Sequence, residues 1–206
     1  MKQTTLRTET IIPNQNISLP VGTALAVKKY SEKLDFENIF SRYKKRGVGI
    51  VGLIEAMITY RLTENQSTSR ASDWINRQEV LKLFELSAFE ERTLFRVLEI
   101  AGDNYEEIIH LLQIILFERY DFPHTDINMD WTSFVLWGTK AELGEYGYSR
   151  AHRPDKKQIT VGLSQLCAPI NIPIGLTVQT GNTNDQTHFK KTFLQVCEHL
   201  KSGSRV

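Results

Sequence analysis

Three short apolar runs, residues 127–136, 158–166 and 172–180, constrain this chain more than any other feature. Each is rich in Ile, Val, Leu or Thr and is bounded by Gly, Pro, Asn or Asp, the composition of strands. From residue 21 to 121, by contrast, apolar residues recur at helical spacing, and Pro123 marks the change. Helices followed by strands predict the α+β class. Three segments are expected: an arm over 1–20, a helical domain over 21–122, and a β-β-β-α region over 123–206.

In the helical half, Ala24, Val27 and Leu34 mark a first helix, and Asp35 is placed to cap a second that buries Phe36, Ile39 and Phe40. Lys44, Lys45, Arg46 and Gly47 read as the end of that second helix, cations at the negative helix terminus followed by a C-cap glycine. Residues 50–62 form the most apolar helix of this half and are expected at its centre. Ser67 is expected to start a short helix, Ser87 to open another, and Asn104 to cap the segment 105–120. After the third strand, residues 183–185 supply caps for a last helix with Phe189, Phe193, Leu194, Val196, Cys197 and Leu200 on its apolar face, stopped by Gly203.

The net charge of +1 provides no global argument for nucleic acid, so any affinity must be local. Cys167 and Cys197 have no metal-ligand spacing, and two free thiols suit a reducing cytoplasm. No apolar segment reads as a membrane span, and residues 1–15 lack the apolar core of a signal peptide. Nucleotide-binding glycine motifs are absent, as is a nucleophile elbow at Ser133 or Ser164. His110, His188 and His199 read as surface or helix-face residues.

Asp130 interrupts the first strand among Met129, Trp131, Phe134 and Val135. A carboxylate buried there is costly unless a cation pairs with it, and strand carboxylates hold hard divalent ions well. The alternative is an Asp satisfied by strand-end hydrogen bonds. Asp126 and Asn128 would share its face, with Asp126 read as the strand start. The turn 146–157 carries Arg150, His152, Arg153, Lys156 and Lys157 against Asp155 alone, beside Tyr146 and Tyr148. Two readings are open: a solvated basic turn, or a surface that holds DNA phosphates and stacks on an unpaired base. Asp185 reads as a helix-start residue. Arg70 and Arg77, in the polar segment 67–77, are candidates for phosphate contact.

The order of these pieces is distinctive. An Asp on a first strand, YGYSRAHRPDKKQ, a strand with VGL, then IPIG and GNTND before a helix closely resembles the DDE transposases of insertion sequences. More narrowly it resembles the insertion-sequence-four-like group, over roughly residues 125 to 206. The resemblance implies an RNase H-like core with a mixed sheet and a helical, often DNA-end-binding, domain before it. It implies Asp130 as the first Asp of the triad and a ligand of Mg²⁺ or Mn²⁺. The second Asp would fall on a strand starting near Arg205, and the Glu later still.

The resulting expectation is a fragment of a cytoplasmic cut-and-paste transposase, inactive alone. Its complete form would cleave transposon ends and transfer strands to target DNA, with a homodimer as a possible assembly. The DNA-contacting residues would be Tyr148, Arg150, His152, Arg153, Lys156 and Lys157. The alternative is a non-catalytic DNA-binding or dimerising remnant. A small RNase H-like nuclease is a third reading, and it requires more sheet carboxylates than can be placed.

Overall fold

A computed structural model describes residues 21–44, 46–120, 122, 126–138, 140–149, 152–167, 171–197 and 199. The expected arm over 1–20, together with Arg150, Leu200 and Gly203, lies outside the described residues. The chain forms two compact units, residues 1–100 and 101–206.

The first unit contains α1 (Val21–Lys33), α2 (Phe36–Phe40), α3 (Ile50–Thr63), α4 (Thr68–Ile75), α5 (Gln78–Leu83) and most of α6 (Glu91–Asp103). As its apolar content suggests, α3 is central: Leu53 and Ala56 are wholly buried, and α1, α2 and α4 all pack on it. Gly52 permits part of that packing, because a Cβ there would lie 2.6 Å from the Phe84 carbonyl and 2.9 Å from the Leu86 side chain. Asn76 ties the extended segment before α6 to the end of α4. Its Nδ2 donates to the carbonyls of Ser72 (3.0 Å) and Phe89 (3.1 Å), and its Oδ1 accepts from the Phe89 N–H (3.0 Å).

Several helix boundaries differ from expectation for local reasons. Asp35 does sit before α2, but in the left-handed region (φ 54°), and its carboxylate accepts from Asn38 Nδ2 at 2.7 Å rather than from a backbone N–H. That helix ends at Phe40, so Lys44 to Gly47 do not close it. Lys45 lies outside the described residues; Gly47 takes φ 82°, and Lys44 Nζ donates to the Val48 carbonyl. Ser67 caps α4 as expected, accepting from the Arg70 N–H at 3.3 Å. The helix expected to open at Ser87 begins at Glu91.

The second unit contains α7 (Tyr105–Arg119), β1 (Ile127–Val135), β2 (Gln158–Leu166), β3 (Ile172–Thr180) and α8 (Asp185–Cys197). Thus α7, which sequence pattern groups with the helices before it, packs on β3, and Gln113 Nε2 donates to the Ile174 carbonyl at 2.7 Å. The α+β class is observed. Among the described residues the sheet is antiparallel throughout, in the order β1-β2-β3, without the parallel pair of a mixed sheet.

Strand alternation sorts the sheet into two different faces. One meets α8 and holds Ile127, Leu166 and Ile174 around the fully buried Val196. Beside this apolar cluster lies a polar one. Thr177 Oγ1 is 2.8 Å from His188 Nε2 and 2.9 Å from Thr192 Oγ1, and all three residues are buried. Gly162 makes room for them, since a Cβ there would come within 2.7–3.0 Å of all three groups. On the other face Asn128, Asp130, Thr132 and Phe134 are exposed.

Candidate nucleic-acid interface

Asp130 lies in the middle of β1, opposite Leu163 of β2. It is not buried: alternation turns Trp131 and Met129 toward the helix-covered face and leaves Asp130 exposed on the other. Its Oδ1 accepts from the Trp131 N–H at 2.8 Å. Asp126 and Asn128 share its exposed face, as expected, at intervals of roughly 7 Å per two residues. Among the described residues no three His, Cys, Asp or Glu side chains are grouped to hold a metal ion. Asp130 stands on this face as an exposed carboxylate.

The basic turn is ordered by its own side chains. Ser149 accepts twice, from the His152 N–H at its carbonyl (3.1 Å) and from the Arg153 N–H at its Oγ (3.0 Å), and His152 takes φ 55° to close the bend. Arg153 pairs with Asp155 through two bonds, Nε–Oδ1 at 2.8 Å and Nη2–Oδ2 at 2.7 Å. That hydrogen-bonded guanidinium holds the Asp155 carboxyl down at about 2 and raises Arg153 further above its ordinary value. Arg153 and Lys156 also lie over the Trp137 ring, 5.1 and 5.2 Å from its centroid. Trp137 lies two residues past the end of β1, after Leu136, whose N–H donates to the Lys157 carbonyl at 2.8 Å.

Of the expected DNA contacts, Tyr148, His152, Arg153, Lys156 and Lys157 fall on this one turn. His152 and Tyr148 are exposed, whereas Arg153 is offset by Asp155. Sequence pattern does not single out Trp137. Its one legible sign is a tryptophan two residues beyond a strand end, where burial is not enforced.

The separately spaced motifs meet at one end of the sheet. Gly147 approaches Gly181 so closely that a Cβ on it would stand 2.1 Å from the Gly181 carbonyl oxygen. Gln158, wholly buried, clamps the two from below, its Nε2 donating to the carbonyls of Tyr148 (2.6 Å) and Gly181 (3.1 Å). Above them is a cleft of about 320 Å³ lined by residues that include Trp131, Ser133, Tyr148, Thr160, Asn182 and Asp185. Asp185 is the first residue of α8, as expected of a helix-start residue. The capping bond itself belongs to Asn184, whose Oδ1 accepts from the Thr187 N–H at 2.8 Å.

Of the two expectations for His188, surface or helix face, the second holds: it lies on the inward face of α8, buried in the polar cluster, and desolvation, followed by the Lys191 charge, lowers its pKa. His110 is exposed on α7, its ring 6.1 Å from that of His199. In the helical unit, a groove of about 780 Å³ brings Arg70 and Arg77 together with Glu64 and Asp73 over the Tyr60–Trp74 ring pair. Its two arginines are balanced by two carboxylates. No helix among the described residues is long and apolar enough to cross a membrane. No family model, curated protein or solved structure matches this chain.

Proposed function

We propose that this chain carries the N-terminal part of the catalytic core of a DDE transposase, preceded by a helical DNA-binding unit. In its complete form such a protein cleaves transposon ends and joins them to target DNA in a metal-dependent reaction. The observation that carries this is the meeting of YGY, Gln158 and GNTND at one end of a β-β-β-α meander whose first strand holds an exposed Asp130. An RNase H-like core begins with that order of elements. The cationic turn beside it supplies the charge for phosphate contact.

In this proposal Asp130 is the first acidic ligand of Mg²⁺ or Mn²⁺. Bound ions would supply electrostatic stabilisation of the entering and leaving oxygens. Lys156 and Lys157, with His152, would hold the DNA backbone, Arg153 would brace the Trp137 ring beside them, and Tyr148 would line the adjoining cleft. A cytoplasmic setting fits the two free thiols, and a homodimer fits synapsis of two ends. The same cationic turn supports the second reading, a non-catalytic DNA-binding or dimerising remnant.

Two measurements test the proposal. In a longer protein carrying this core, Asp130→Asn should abolish Mg²⁺- or Mn²⁺-dependent end cleavage while leaving end binding intact; retained cleavage rejects Asp130 as a ligand. The 206-residue chain alone should bind DNA without nicking it, because one carboxylate holds Mg²⁺ only weakly. Nicking of supercoiled plasmid that disappears in Asp130→Ala would mean that these residues already form a working site.

A further inference from the structure

Trp137 leaves 76% of its surface exposed and Tyr148 leaves 85%, the two largest exposures among the large apolar side chains of the described residues. Exposed single rings are ordinary. Here the cations of the turn that carries Tyr148 are arranged around Trp137, which lies just past β1. Arg153 and Lys156 both reach the Trp137 ring, and Ser149 ties the Tyr148 end of the turn to Arg153. With the Arg153 charge offset by Asp155, this arginine acts as a brace for the ring rather than as a free phosphate ligand.

Resting on the reading above, we propose that Trp137, with Tyr148, forms a stacking platform for an unpaired nucleic-acid strand, whose phosphates run along Lys156 and Lys157. Charge complementarity with a polyanion selects nucleic acid, and the rings select its unpaired form. A duplex offers this turn phosphates alone, because its base faces are stacked inside, whereas an unpaired strand offers a π-face for each ring. The braced ring is held in place before the strand arrives, which lowers the ordering cost of binding.

The test is fluorescence anisotropy of the 206-residue chain with fluorescein-labelled oligothymidylate, and with the duplex it forms with oligoadenylate. The single strand should bind more tightly than the duplex. Trp137→Ala should weaken single-strand binding about tenfold or more, as loss of one stacked base does, and leave duplex binding nearly unchanged. Trp137→Phe should retain most of the affinity, and Tyr148→Ala provides an independent loss.

Both side chains are exposed, and unchanged far-ultraviolet circular dichroism of each variant verifies that the fold is kept. Equal or tighter duplex binding, or an unaffected Trp137→Ala protein, overturns the platform while leaving the DNA reading standing. Failure of both probes to bind the unaltered chain removes that reading as well.

Discussion

Gly162→Ala is a small change with a large expected effect. The added methyl would stand 2.7 Å from Thr177 Oγ1, 2.9 Å from His188 Nε2 and 3.0 Å from Thr192 Oγ1. None of these atoms belongs to a flexible, solvent-facing side chain. Each is buried, and Thr177 is bonded to both of the others. To accept the methyl, α8 must move off the sheet or the polar cluster must separate. Overpacking of this kind costs about 1–3 kcal/mol. Leaving one buried hydroxyl or imidazole unpaired adds about 1–3 kcal/mol. A total of about 2–6 kcal/mol corresponds to a roughly 30- to 20,000-fold rise in the opening constant.

Native-state hydrogen exchange of the β2 and α8 amides reads this unit directly, without interference from the helical one. Gly102→Ala is the control: nothing lies within 4 Å of its Cβ, and in helix α6 alanine is favoured over glycine. A double mutant with Thr177→Ala, which removes the nearest obstruction, should recover part of the steric cost. If Gly162→Ala changes β2 protection no more than Gly102→Ala does, the cluster is not tightly packed and the reasoning fails.

Other outcomes follow from the same geometry. Burial lowers the His188 pKa, so the folded unit binds fewer protons than the unfolded chain just below the ordinary histidine value. Stability of the sheet unit should therefore be full above about pH 6.5 and fall as pH drops toward the lowered folded value. His188→Gln should flatten that dependence in pH-resolved hydrogen exchange, and an unchanged profile would assign it to other groups. Asn76→Ala removes the two hydrogen bonds that clip Phe89, before α6, to the end of α4, and a third to the Ser72 carbonyl, and should cost the helical unit about 2–3 kcal/mol, measured by urea unfolding. Replacing Arg150, Arg153, Lys156 and Lys157 with Ala should weaken DNA binding and flatten its dependence on log salt by about 0.9 for each phosphate no longer neutralised. An unchanged slope would show a merely solvated turn.

What the sequence determined by itself was local. Runs of nine residues bounded by turn formers allow little besides strands, so β1, β2 and β3 were legible almost to the residue, as was α3 from its apolar content. Capping was legible where a short polar side chain had one obvious backbone target, at Ser67, and not at Asp35, where a left-handed residue redirected the carboxylate to Asn38. Tertiary structure alone decided which face each strand residue took. That choice moved Asp130 out to the exposed face and drew His188 inward against Thr177, because the position of α8 is set by long-range packing that no local pattern records. It also brought Gly147, Gln158 and Gly181 together across more than thirty residues of chain, and seated the basic turn on Trp137. Those contacts join residues distant in sequence, and their spacing carries no trace of them until the strands pair.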